Sequence, residues 1–284
     1  DLFSQQTVER ATRDYLRHQG KITAEKNVAW VWLLLTAGSL AVLIWHSVRG
    51  TPAPWGIRLV WTFITAIFGP FGLMAYLLSY RQPLRSAEPQ ATMTNWRRAL
   101  AATLYSVAGY AMVWMLGMAY FVYFLPDPKP MHILVVTYVA PLIIGLLAFR
   151  PLLMVSQLRE RYRVALRRTA LSELISANLA FAGMFPVMLF LVDRWFPASP
   201  ELSNPLVWLM ISLAAMAAAL VVYPFNVWLA RRRSDCLPVW LSAGGAAVEA
   251  DKVVLPSLRN AWAALLLSFA LFIASLGLTV SNLS

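Results

Sequence analysis

Apolar residues in this chain come in long continuous runs, neither as the narrow stripe of a water-facing helix nor as the alternation of a half-buried strand. Seven of these runs reach the roughly 20 helical residues needed to cross a hydrocarbon core of about 30 Å. They are Val28–Val48, Ile57–Tyr80, Ala99–Leu125, Met131–Val155, Leu171–Val192, Pro205–Leu229 and Leu258–Val280. Isolated strands would leave backbone groups unpaired in lipid, and a barrel needs short alternating segments. The pattern therefore predicts an all-α, polytopic membrane protein with about seven transmembrane helices.

The run with the most varied chemistry is Ser172–Val192, which holds Glu173, Asn178, Gly183, Met184, Pro186 and Met188. Around it the chain divides into a cytoplasmic N-terminal segment (1–27), a six-helix membrane domain (28–230), a cytoplasmic interfacial loop (231–257) and a seventh span with a short outer tail (258–284). Ser4–Gln19 reads as an amphipathic helix, with Val8, Ala11, Tyr15 and Leu16 on one stripe and Gly20 as its stop. It suits an anionic lipid surface or a partner. The loop Arg231–Ser257 presents Leu237, Val239, Trp240 and Leu241 after three arginines, the mark of an interfacial segment. No internal repeat is evident, which argues against an inverted-repeat transporter.

Composition agrees with a lipid solvent: 60% of residues are hydrophobic, 13% are charged and the mean hydropathy is +0.62. The single cysteine, Cys236, excludes an internal disulfide framework. A net charge of +11 would suit nucleic acid, but its placement follows membrane loops instead. With seven continuous spans, 20 of the 24 basic residues fall on one side, leaving Arg49, Arg58, Lys129 and Arg194 for the other. That bias predicts a cytoplasmic N-terminus and an outer C-terminus in an inner membrane. Trp30, Trp45, Trp55, Trp96, Trp195, Trp208, Trp228 and Trp262 lie near span ends, where indoles favour headgroups, while Trp114 is near mid-span. The expected outer connections are too short to hold a catalytic domain.

No charged residue falls at the centre of any run. Arg150 and Glu173 are the nearest, both in the inner third. Arg150 can snorkel to the headgroups. Glu173 is expected in the first turn of its helix, where a carboxylate meets the positive end of the dipole. Asn178 and Asn226 are suited to hydrogen bonding between helices. Pro70, Pro186 and Pro224 each remove a backbone donor and predict kinks. Such a kink either opens a cavity or leaves carbonyls for neighbouring side chains. Small residues such as Gly69 and Gly72, Gly109 and Gly117, Ala215 and Ala219, and Ala264 and Ser268 predict close helix contact.

Thioethers are soft ligands for Cu(I). Met184 and Met188 share a helix face, and Met112, Met115 and Met118 step along another span. His46, His132 and Met131 fall at what the seven-span arrangement makes outer span ends, so together they would mark an outward-facing metal inlet. Ordinary packing is the competing explanation, since methionine fills gaps in apolar cores. Tyr105, Tyr110 and Trp114 would line a quinone pocket or simply pack. Phosphate-binding glycine loops, HExxH and GxSxG are absent from the sequence.

Three segments carry a family resemblance: GPFGLMAYLLSYRQP (Gly69–Pro83), ALRRTALSELISANLAFAGMFPVM (Ala165–Met188) and YPFNVWLA (Tyr223–Ala230). With Trp208, Met210 and Ser212 between the last two, residues from about 60 to 230 resemble the bacterial membrane family of domain of unknown function 4396. The resemblance implies a bacterial membrane protein whose relatives occur beside copper-handling proteins. It also implies a His–Cys pair and a Gly–Asp pair in the third span, where this chain has Tyr105, Ser106, Gly109 and Tyr110. Thr137 replaces an expected acidic residue before Tyr138, and Cys236 an expected histidine. The implied member is divergent, keeping the fold while losing titratable groups.

The expected function is a non-catalytic integral membrane subunit that packs against other membrane subunits, in a respiratory or copper-linked complex, with membrane lipids around it and no nucleic acid. No cofactor is predicted on that reading. The alternative is a transporter of Cu(I) or another small solute that uses the intramembrane methionines.

Overall fold

Asn204 and Pro205 open a helix where the apolar run predicts one. The Asn204 side-chain oxygen accepts the Leu206 N–H at 3.1 Å, and Pro205 occupies the first turn, where its missing N–H costs nothing. Such helices make up nearly all of the described residues. The computed structural model describes residues 2–50, 55–80, 95–125, 129–149, 161–195, 203–231 and 258–283, and among them there is no strand.

The helices are α1 (Leu2–Gly50), α2 (Trp55–Phe68), α3 (Pro70–Tyr80), α4 (Asn95–Phe124), α5 (Pro130–Leu134), α6 (Ala140–Ile144), α7 (Tyr162–Trp195), α8 (Pro205–Arg231) and α9 (Leu258–Leu283). Two π-helical turns, Val135–Val139 and Gly145–Phe149, continue α5 and α6 into one rod. Five stretches among the described residues are long and apolar enough to cross a membrane: Thr23–Arg49, Asn95–Phe124, Met131–Ala148, Thr169–Trp195 and Pro205–Arg231. In α9 the apolar stretch is shorter, Trp262–Leu278.

The run Ile57–Tyr80, expected as one crossing, is instead a hairpin. Gly69 takes φ +56°, a conformation that costs an L side chain about 1–2 kcal/mol, and Pro70 starts a new helix directly after it. In a continuous helix Trp61 and Tyr76 would stand about 22 Å apart. Their ring centroids are 5.6 Å apart, so the chain has turned back on itself. A Cβ on Gly72 would lie 2.7 Å from the Thr65 Cα, which shows how closely the two arms approach. Neither arm, at about 21 Å and 16 Å, is long enough to cross alone.

Contacts with α1 fix the hairpin's direction. Its tip at Gly69 lies against Trp32 and Thr36, while Tyr76 meets His46 and Ser47 through its hydroxyl at 3.0 Å and 3.3 Å. Thus α2 descends beside α1 from the Gly50 end, and α3 climbs back toward it. The remaining helices follow in register. Trp32 donates to Ser212 Oγ at 3.0 Å, and Arg194 pairs with Glu25 at 2.9 Å, so α8 starts and α7 finishes at the Thr23 end of α1. Asn226 donates to Thr103 Oγ1 at 2.8 Å, so α4 starts at the Gly50 end. The Tyr162 hydroxyl donates to the Leu147 carbonyl oxygen at 2.7 Å, placing the start of α7 there as well.

The core is centred on α7 and α8, which cross so tightly that a Cβ on Gly183 would fall 2.8 Å from the Ala217 carbonyl oxygen and the Ala218 Cα. Gly183, Ala217 and Ala218 permit this close contact, and none of them is among the small-residue pairs read from the sequence. Trp114 is buried within the same core.

Two expectations change. Seven unbroken crossings would separate Glu25 from Arg194 by the membrane thickness, whereas the ion pair puts them at one end. Gly20 does not stop a helix, since α1 passes through it to Gly50. Arg150 and residues 232–257 lie outside the described residues, as do the side chains of the Ser4–Gln19 stripe.

Gly69→Leu is expected to lower the thermal midpoint in detergent markedly, because it adds backbone strain to a collision with Trp32 and Thr36. Gly38→Ala, where nothing lies within 4 Å, should leave the midpoint unchanged or raise it slightly. Parallel melts of the two variants check this.

Candidate functional site

Glu173 lies three turns inside α7, not in its first turn as expected, because the helix begins at Tyr162 and runs through the polar residues before the apolar run. The helix dipole therefore does not account for the carboxyl. It is 1% exposed, and the Tyr110 hydroxyl donates to its Oε1. The same hydroxyl stands 3.4 Å from the Glu173 carbonyl oxygen. Gly145 makes room for the phenol ring, since a Cβ there would fall 2.7 Å from Tyr110 Cε1.

A second buried polar group follows 5 residues further along α7. Asn178 accepts from the Tyr138 hydroxyl at 3.1 Å and donates to Ser268 Oγ on α9 at 3.3 Å. Tyr138 sits in the first π turn, and Gly145 opens the second. Such turns shift side-chain direction inside a helix and often mark functional positions. Here they mark the two places where this rod meets the polar residues of α7. The Phe181 ring joins both tyrosines, 5.5 Å from Tyr110 and 5.3 Å from Tyr138, and Tyr138 stacks on Phe272 at 4.9 Å.

Pro186 stays inside α7, where its missing N–H frees the Ala182 carbonyl four residues back. Ser275 of α9 donates to that oxygen at 2.7 Å. A neighbouring side chain, not an opened cavity, thus answers the freed acceptor. Pro224 similarly lies inside α8, two residues before Asn226, which is fully buried against Thr103.

The methionine and histidine positions are spread more widely. Met184 and Met188 are buried in the core, Met115 and Met118 pack against it, and Met112 is half-buried. His46 lies at the Gly50 end with Tyr76 on its Nδ1, while His132 and Met131 are exposed at the Thr23 end. The Lys129 N–H points at His132 Nδ1 from 3.3 Å, so that lone pair caps a helix. The eight candidate ligands therefore do not share one end. Among the described residues no group of three or more His, Cys, Asp or Glu side chains is placed to hold a metal.

Sequence reading missed Tyr110, Tyr138, Ser268 and Ser275 as partners. A signal existed for the serines, which are seven apart and so share one face of α9. Tyr110 stood out only as an aromatic residue and Tyr138 only by its place in the family pattern, and neither pointed to a polar partner, because aromatic residues are ordinary in apolar runs.

Residues 95–234 match the family described as Domain of unknown function (DUF4396). This region, α4 through α8, belongs to DUF4396. Comparison with curated proteins and with solved structures gives no match. The DUF4396 region contains Tyr110, Tyr138, Glu173, Asn178, Met184, Met188 and Asn226. It leaves out the α2–α3 hairpin, including Gly69–Pro83, so the match begins later than the resemblance suggested. It also leaves out α9, whose Ser268 and Ser275 complete the polar contacts of α7.

Two double-mutant cycles check these contacts. Tyr110→Phe with Glu173→Gln should be non-additive by about 0.6–1.7 kcal/mol, the range for polar pairs between membrane helices. Ser275→Ala should destabilise the parent protein but cost less when combined with Pro186→Ala, because the Ala182 carbonyl regains a helical donor.

Proposed function

We propose that the protein is a non-catalytic, multi-pass subunit of the bacterial inner membrane that packs against other integral membrane proteins, in a respiratory or copper-linked complex. The observation that supports this is where the polar side chains within the spans go. Glu173, Asn178, Asn226 and Ser275 each reach a different helix from their own, as does Trp32. Used this way, buried polar groups lock helix positions and hold the outer surface in one shape. Lipid offers no hydrophobic drive between membrane proteins, so a partner must be held by close packing onto such a fixed surface. The apolar outer faces of α1 (Leu34, Trp45, Val48) and α9 (Leu266, Leu267, Leu278) are exposed and suited to lipid or a partner helix.

Isolation in a mild detergent at native abundance should yield the chain in a larger complex with the same membrane proteins each time. Repeated recovery of the chain alone would overturn the proposal.

A second reading, a conduit for Cu(I), is favoured by one observation: Met184 and Met188 are buried in the same core against which Met115 and Met118 pack. Leucine conserves the volume of methionine at a cost usually below about 1.5 kcal/mol. Met184→Leu combined with Met188→Leu should then remove copper tolerance or uptake while protein abundance stays normal. An unchanged copper phenotype at normal abundance disposes of this reading.

A further inference from the structure

We infer that the α2–α3 hairpin is re-entrant, so that the chain crosses the membrane six times and the Thr23 end of α1 lies on the non-cytoplasmic side. This inference does not depend on the proposed function. An apolar run of 24 residues looks like a crossing, and counting it as one places residues 1–27 in the cytoplasm. The Trp61–Tyr76 contact excludes that path, since both residues lie on the same side of the Gly69 turn. The hairpin therefore returns to the membrane face it left.

The depth of the turn is set by its neighbours on α1. Thr36 lies 13 residues before Arg49, so the tip reaches about 20 Å below the Gly50 end. Non-helical backbone at such depth is tolerated only when protein surrounds it. Gly69 meets this condition, being buried against Trp32 and Thr36.

With the hairpin counted as a return, the helix ends flanking residues 51–54, 81–94, 150–160 and 232–257 all open on the Gly50 face. That face holds Arg49, Arg58 and the basic residues in 81–98, 150–168 and 231–259, together 17 of the chain's 24. It also holds 5 of the 13 acidic residues, Glu173 being buried within the bundle, so the positive excess sits there, while the other face balances 7 basic with 7 acidic residues. The excess of Lys and Arg makes the Gly50 face cytoplasmic. Unbroken crossings would divide the basic residues 20 to 4, so charge assigns residues 81–98, 150–168 and 231–259 to the cytoplasm either way. The Glu25–Arg194 pair decides the rest, because Arg194 faces outward in both arrangements. A partner that binds residues 2–22 would accordingly meet them from outside the cytoplasm.

The two paths differ only at residues 1–27 and 51–54, and the lone Cys236 makes this testable. In a Cys236→Ser background, single cysteines are introduced as Ser4→Cys, Thr51→Cys and Ser86→Cys, and spheroplasts are treated with a membrane-impermeant maleimide before and after lysis. Ser4→Cys should react before lysis, with Thr51→Cys and the cytoplasmic control Ser86→Cys reacting only afterwards. Reaction of Thr51→Cys from outside, with Ser4→Cys protected until lysis, overturns the inference. A fluorescent protein that matures only in the cytoplasm, fused at the N-terminus, decides the matter independently. It should stay dark, and fluorescence in the membrane overturns the inference.

Discussion

A polar group taken into lipid has no water to return to, so each one must find a partner within the protein. That constraint organises this fold at every scale. It places the Gly69 turn against Trp32 and Thr36 instead of against lipid. It joins the Ala182 carbonyl, freed by Pro186, to Ser275, and it sets Asn226 on Thr103 and Glu173 on Tyr110. Each solution brings in a residue from another helix, so the local problem of one helix becomes an instruction about its neighbour.

The helix with the most such problems is α7, and the rest of the bundle is arranged around it. Along one helix it carries a carboxyl, an amide, a proline and the glycine that lets α8 approach. Helices α4, α8, α9 and the π-turned rod each answer one of them. The DUF4396 match ends before α9, yet Ser268 and Ser275 belong to the same set of contacts. The C-terminal helix therefore completes this domain instead of being appended to it.

The α2–α3 hairpin shows how far one residue's backbone can alter a topology. Hydropathy sums side chains over a window and is blind to direction, so it treats two short apolar helices as one long one. The local marker was nonetheless in plain view: Phe68-Gly69-Pro70 combines a residue suited to positive φ with one suited to a first turn. A proline alone predicts a kink, whereas glycine before it permits reversal. Whether the chain reverses depends on Trp32 and Thr36 being there to receive the turn, and they come from a different helix.

Sequence by itself determined the lipid solvent, the helical class, the location of the apolar runs and the resemblance to DUF4396, though not where the match begins, because these depend on local composition and spacing. It also singled out Glu173, Asn178, Pro186 and Asn226, because polar residues stand out in apolar runs. Tertiary structure alone decided what each of them meets, since Tyr110, Ser268, Ser275 and Thr103 lie far away in the chain. It decided as well that Glu25 and Arg194 share an end of the bundle, and that His46 and His132 do not. Those outcomes follow from the direction in which each helix runs, and direction is set by contacts between helices.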